Sequence, residues 1–206
     1  MYQKDIFAVT DLAEVEALLA AAKLGCLITH GPEGLFATHM PFVYEADRRI
    51  LAGHVARENP HPTLAGDDEA LIIFQGLDAY ISPSWYPSKF KHGRVVPTWN
   101  YEAMHVYGRL TWRRDETWLR PHLTQLTERF EAGRTKPWAI DDAPADYLQR
   151  MIASVVGLEF AITRVEAKRK LSQNRSEFDR MGVIAGLSDS EDATERAMGD
   201  RMGKVT

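Results

Sequence analysis

Residues 79–108, AYISPSWYPSKFKHGRVVPTWNYEAMHVYG, decide how this chain is read. Tyr80, Trp85, Tyr86, Trp99, Tyr101 and Tyr107 fall within them, interleaved with Ser82, Ser84, Ser88, Thr98 and Asn100. Aromatic faces beside short donors and acceptors suit a flat, partly polar ring system. Pro83, Pro87 and Pro97 interrupt any helix and push the preceding residues toward extended geometry. The stretch therefore reads as a strand, a basic loop (Lys89, Lys91, Arg94) and a second strand. An aromatic hairpin serving only as core fits the same pattern, and the residues alone leave both readings open.

Working outward, Val95 to Trp112 predicts a long strand with a break near Gly108. EALIIFQ, Glu69 to Gln75, is apolar enough for a central strand, with Leu77 to Ser82 following after Gly76. Cys26 to Thr29 and Leu35 to Val43 flank the turn residues His30-Gly31-Pro32-Glu33-Gly34 and predict a hairpin. Pro41 argues for an edge strand or a bulge there. Ile50 to Val55 adds another strand, and Leu158 to Ala167 alternates as a last one. Five or six closely spaced strands with helices at the flanks predict a mainly β, α+β barrel rather than a parallel α/β sheet.

The helices are read from apolar spacing. Asp11 to Ala22 is one, with Asp11 as cap and Gly25 as stop. Leu119, Leu123, Leu126 and Phe130 mark a second; with Thr117 as its cap it begins near Trp118, which puts Pro121 in the first turn. Trp138 is expected to be pinned against the domain. Asp142-Ala143-Pro144 opens a third helix whose stripe is Tyr147, Leu148, Met151, Ile152 and Val155, ended by Gly157. Phe178, Met181, Val183 and Ile184 predict a short one. Residues 1–187 form one domain in this reading, and 188–206 a peripheral helix or tail that frays.

The chain has 206 residues, 45% of them hydrophobic and 26% charged, with a net charge of −4. That composition builds a core and offers no global basic field for nucleic acid. One cysteine, Cys26, makes no internal disulfide and points to a reducing compartment; MYQKDIFAVT lacks the apolar run of a signal peptide. The expectation is a cytoplasmic protein with no membrane association.

GHVARENP, residues 53–60, is the second place where chemistry shows. Asn59-Pro60 is a helix start, and Arg57 beside it makes a candidate phosphate seat, with His54 nearby. A surface arginine beside an ordinary capped turn is the plainer reading. KRKLSQNR, residues 168–175, is either a solvated basic end, an anion site, or a polar arm reaching another subunit. The histidines show no metal-ligand spacing, and there is no GxSxG, Walker-type or GxGxxG motif. Any enzymatic activity then depends on a cofactor for its reactive centre.

GHVARENP, AYISPSWYPS, VVPTWNY followed by HVYG, and KLSQNR with DRMGVIAGL together resemble the PaiB-type FMN-binding negative transcriptional regulators. The resemblance runs from MYQKDIF to about Leu187. It implies an antiparallel split β-barrel of the pyridoxamine-phosphate-oxidase type, a homodimer, and flavin mononucleotide in a cleft between subunits. It places Arg57 and Asn59 at the flavin phosphate. Tyr80, Ile81, Ser82 and Ser84 line the ribityl chain and ring, and Pro97, Thr98, Trp99 and Asn100 form the facing strand. Lys170, Ser172, Gln173 and Asn174 belong to an element that a dimer partner supplies. Glu58 replaces a small residue and His61 a glutamine; an inward Glu58 carboxylate would repel phosphate.

Three functions follow. The first is an FMN-binding regulator that senses redox state or a ligand through flavin. The second is a flavin-dependent oxidoreductase acting on a small molecule with NAD(P)H. The third is a flavin-free module for another aromatic ligand. DNA is a possible partner of the first, yet no basic recognition helix is visible, and only the 89–94 and 168–175 segments offer cations.

Overall fold

The computed structural model describes residues 1–65 and 69–204. Strand β1 (Ala8–Val9) precedes helix α1 (Leu12–Ala21), followed by β2 (Leu24–Gly31), β3 (Gly34–Glu45) and β4 (Ile50–Ala56). One-turn helix α2 (His61–Leu64) leads to β5 (Ala70–Ile81), short helix α3 (Lys89–His92) and β6 (Thr98–Arg113). Helices α4 (Glu116–Glu131) and α5 (Ala145–Ala153), strand β7 (Val155–Lys170), and helices α6 (Glu177–Ser188) and α7 (Ala193–Gly203) complete the chain. The strands form one sheet in the order β1-β7-β4-β3-β2-β5-β6, and β6 also pairs with β7. This is the mainly β architecture with flanking helices that the strand pattern predicts, and the antiparallel split barrel that the resemblance implies. The chain divides into two compact units.

One unit comprises Leu12–Phe74 and His105–Val165. Its hairpin closes through Gly31 opposite Gly34, whose φ of +101° suits glycine far better than other residues. Leu27, Phe42, Leu51, Ile72, Leu158 and Phe160 are fully buried, and Phe42 meets Phe74 edge to face at 5.7 Å. Burial of this order contributes about 1.5–3 kcal/mol per large side chain.

Several local expectations are corrected here. Gly108 does not break β6: a side chain there would collide with the Ala161 carbonyl and the Phe160 ring, so the glycine permits close approach. Gly157 does not end α5. It lies in β7, where a Cβ would strike the Trp118 ring. Helix α4 starts earlier than predicted, because the Asp115 carboxylate, not Thr117, caps it by accepting from Trp118 N–H at 2.9 Å. Pro121 is therefore inside the helix, where it has no N–H to give the Thr117 carbonyl, which belongs to an exposed residue. Trp138 is 46% exposed rather than pinned. In α5, Leu148 and Ile152 pack with Leu119 and Ile140, while Tyr147 and Met151 of the predicted stripe face solvent.

The other unit comprises Met1–Asp11, Gln75–Met104 and Glu166–Thr206. Here β1 pairs with β7 at Ala8↔Lys168 and Val9↔Ala167. Strand β5 runs through Gly76 without interruption, pressed close to Glu102 of β6. The core gathers Ile81, Tyr86, Leu171, Val183, Leu187, Met198 and Met202. Gly182 and Gly186, one turn apart on α6, leave a groove that receives Trp85. Helix α7 is anchored rather than frayed, since Met198 and Met202 are fully buried; Val205 and Thr206 of the predicted tail lie outside the described residues.

Candidate functional site

Pro41 organises the first cluster, which lies in the Leu12–Phe74 and His105–Val165 unit. Contrary to expectation it occupies neither an edge nor a bulge: β3 is interior, between β4 and β2. Phe42 N–H donates to the Lys23 carbonyl at 2.8 Å, on the β2 side. Alternation then turns the Pro41 nitrogen toward β4, where it has no proton to give. The β3–β4 ladder accordingly ends at Phe42↔Gly53, although both strands continue. Beyond that point a cleft of about 360 Å³ opens between them, lined by Thr38, Pro41, His54, Asn59 and Ser154 among others. Its size is at the lower end of small-molecule sites, which run from about 300 to 1,000 Å³.

Asn59 holds the mouth. Its Oδ1 accepts from His61 N–H at 2.9 Å, as an N-cap does, and its Nδ2 approaches Thr38 Oγ1 at 3.4 Å. Helix α2 is four residues long, so the dipole expected to help seat a phosphate is weak. Arg57 departs further from the expectation. Its Nε donates to the Ala153 carbonyl at 2.6 Å and its Nη2 reaches the Val155 carbonyl at 3.4 Å. The guanidinium thus ties down the junction of α5 and β7 through Nε and Nη2. Glu58 is exposed. His61 is fully buried, its ring nitrogens bonded to Thr29 Oγ1 at 2.9 Å and Thr38 Oγ1 at 2.8 Å. Burial lowers its pKa, so the ring is neutral and structural.

Residues that sequence reasoning missed stand behind His54. Its Nδ1 is 3.2 Å from Nε2 of His122, a residue of α4 that is 3% exposed. His122 stacks on Trp118, with centroids 4.9 Å apart and planes 22° from parallel. Trp118 Nε1 donates to Glu159 Oε1 at 2.9 Å. Burial alone would raise the Glu159 carboxyl, but hydrogen bonds from Arg113, Trp118 and Arg48 outweigh it and hold the pKa at about 2. His122 is pushed the other way, to about 3, by burial and then by His54; burial lowers His54 as well. Both imidazoles are neutral at pH 7. The one available signal was His122 itself, a polar residue interrupting the buried side of α4.

The second cluster lies in the Gln75–Met104 and Glu166–Thr206 unit. Tyr80 of β5 and Trp99 of β6 meet edge to face at 6.0 Å, and both are open, at 42% and 54% exposure. Two large aromatics left uncovered side by side suit a flat ligand. Around them the predicted residues divide. Thr98 receives a bond from Lys170 Nζ at 2.7 Å, and Lys170 also donates to the Trp99 carbonyl. Ser82 Oγ caps its own turn through Ser84 N–H at 3.2 Å and bonds Ser84 Oγ at 2.6 Å. Pro97 and Asn174 are exposed.

Four predicted residues are spent on structure. Ile81 is fully buried core. Asn100 is fully buried too, its Nδ2 donating to Ser172 Oγ at 3.0 Å and contacting Met202 Sδ at 3.3 Å. Ser172 holds a left-handed φ of 63° in the turn after β7. Gln173 closes that turn by accepting from Leu171 N–H at 2.6 Å and donating to the Arg169 carbonyl at 2.6 Å. The basic segment 168–175 is thus not a solvated end: Lys168 is 5% exposed, with Nζ donating to Tyr101 Oη at 2.6 Å and to the Tyr2 carbonyl at 3.1 Å. Burial, then the charges of Lys168 and Arg175, lower the Lys170 pKa.

A family model described as "Putative FMN-binding domain" matches residues 1–164. The chain belongs to this FMN-binding family. FMN is the cofactor of the FMN-binding domain, and the chain's PaiB-type character rests on more than motifs. It is similar to "Protease synthase and sporulation protein PAI 2" of Bacillus subtilis (strain 168), 34% identical over 206 residues, covering 98% of this chain and 96% of the relative. In fold the FMN-binding chain resembles the flavocytochrome Anf3 from Azotobacter vinelandii, with a TM-score of 0.59 and 16% identity over 82% of this chain and 72% of that one. It also resembles the FAD and heme binding protein from Mycobacterium smegmatis, with a TM-score of 0.58 and 21% identity over 79% and 73%. No helix of the described residues is long and apolar enough to cross a membrane.

Proposed function

We propose that this chain is an FMN-binding homodimeric regulator that responds to redox state or to a ligand through its flavin. The observation carrying it is the cleft opened by Pro41, in whose mixed lining Thr38, His54 and Asn59 supply polar groups that suit a phosphoryl group. Arg57 and the Asn59 amide serve as donors for the phosphate. Tyr80 and Trp99, in the other unit, form an exposed aromatic pair that suits a flat ring, with Thr98, Ser82 and Ser84 as polar neighbours. Bound FMN supplies reversible electron transfer, which the side chains of this chain lack. The regulator reading draws on the similarity to the sporulation protein. In this reading the exposed Lys89, Lys91 and Arg94 are the groups for any contact with DNA phosphates, with a shallow salt dependence of slope about −3.

The test is a pair of titrations on the purified protein, with FMN and with riboflavin, which has no phosphate. Arg57→Ala is expected to weaken FMN about tenfold and riboflavin little, as loss of one charge-assisted bond implies. Equal losses for both ligands place the phosphate elsewhere, and a protein that takes up neither is a flavin-free module. Steady NAD(P)H oxidation by the FMN-loaded protein would make it an oxidoreductase instead.

A further inference from the structure

We infer that His122 is a positioning residue that fixes His54 in its Nε2–H tautomer, so that His54 presents a neutral N–H donor to an oxyanion in the cleft. The inference rests on the proposed phosphate end of the FMN site and deepens it. The 3.2 Å bond between His54 Nδ1 and His122 Nε2 needs one proton between two ring nitrogens. If His54 supplied it, His122 would carry its own proton on Nδ1, which is buried and without a partner. An unmet buried N–H is the more costly orphan, and an unmet lone pair the more tolerable one. His122 therefore donates from Nε2, His54 accepts on Nδ1, and the His54 proton sits on Nε2.

That Nε2 has no hydrogen-bond partner among the described residues, and His54 lines the cleft between Thr38 and Asn59. His122 is itself held in place from behind. Trp118 stacks on its face and is anchored by Glu159, so the donor cannot swing away from His54. A neutral donor suits a phosphate that must be released as well as bound, since it adds direction without a second full charge.

The experiment combines the flavin titrations with ¹⁵N NMR of the histidine rings in the full-length protein. The expected wild-type spectrum shows His54 protonated on Nε2. His54→Ala and His122→Phe, which keeps the stack on Trp118 but has no proton to donate, are each expected to weaken FMN about fivefold while riboflavin affinity holds. His122→Gln, whose amide donates to His54 Nδ1, is expected to recover most of the loss. A His54 protonated on Nδ1 in the wild type overturns the inference whatever the variants do, including a His122→Phe that fails to fold. So does a His122→Phe protein with unaltered FMN affinity. Arg57→Ala and Asn59→Ala are read beside them. If these change the FMN to riboflavin ratio and His54→Ala does not, only the histidine inference fails. If none changes it, the phosphate reading fails with it.

Discussion

Replacing Glu159 by glutamine tests the electrostatic anchor behind the cleft. The carboxylate, 6% exposed, accepts from Arg48 Nη2 at 2.6 Å, Arg113 Nε at 3.0 Å and Trp118 Nε1 at 2.9 Å. Its folded pKa of about 2 lies below the ordinary value of 4.5. At roughly 1.4 kcal/mol per pKa unit that difference corresponds to about 3 kcal/mol of stability. Arg48 and Arg113 are 53% and 38% exposed, so solvent screening reduces it to about 2 kcal/mol. Because the folded pKa is depressed, this stability is present above about pH 4.5 and lost as pH falls toward 2. Glutamine keeps the shape, loses the charge and turns an amide N–H toward arginine donors. Urea unfolding of wild type and Glu159→Gln should therefore differ by about 2–4 kcal/mol at pH 7. The gap should narrow steadily as the pH is lowered through 4.5 and below. A difference that stays constant from pH 7 to pH 3 would refute the reasoning, because it would reflect packing alone.

Trp99→Leu is expected to remove most of the tryptophan quenching seen on FMN addition and to weaken both FMN and riboflavin; unaltered quenching makes Trp99 a plain surface residue. Gly182→Ala puts a methyl group into the Trp85 carbonyl, which is backbone and cannot swing aside, so thermal unfolding should report a loss of about 2–3 kcal/mol. The proposed homodimer is checked by mass in solution at low concentration. A monomer with full FMN affinity excludes a site shared between subunits. Gln173→Ala should lower stability by about 1–2 kcal/mol through its turn, whatever it does to flavin.

The hairpin of β2 and β3 was legible because its turn signal, two glycines around Pro32-Glu33, is local. Gly108 and Gly157 were misread because a glycine that stops an element and one that lets a ring lie against it look identical in sequence. What separates them is Phe160 in one case and Trp118 in the other, each supplied by a distant segment. Pro121 was misplaced for a related reason. Its cost depends on whether water reaches the Thr117 carbonyl, which no local pattern encodes. Asn100 shows the limit for the site: its company of small polar residues suggested a ligand, whereas Ser172, 72 positions away, takes it into the core. His54 was visible as a neighbour of the cleft, but its partner is 68 residues off.

Pro41 has a consequence for how adjustable the cleft is. A gap propped open by a bulky side chain can relax when that side chain rotates or is trimmed. Here the wedge is a missing proton on a backbone nitrogen, fixed by the covalent ring of the residue. Any other amino acid at this position restores an N–H and lets the two strands zip one pair further, sealing the opening from its base. The aperture is thus written into the main chain, and the side chains around it remain free to vary in what they recognise.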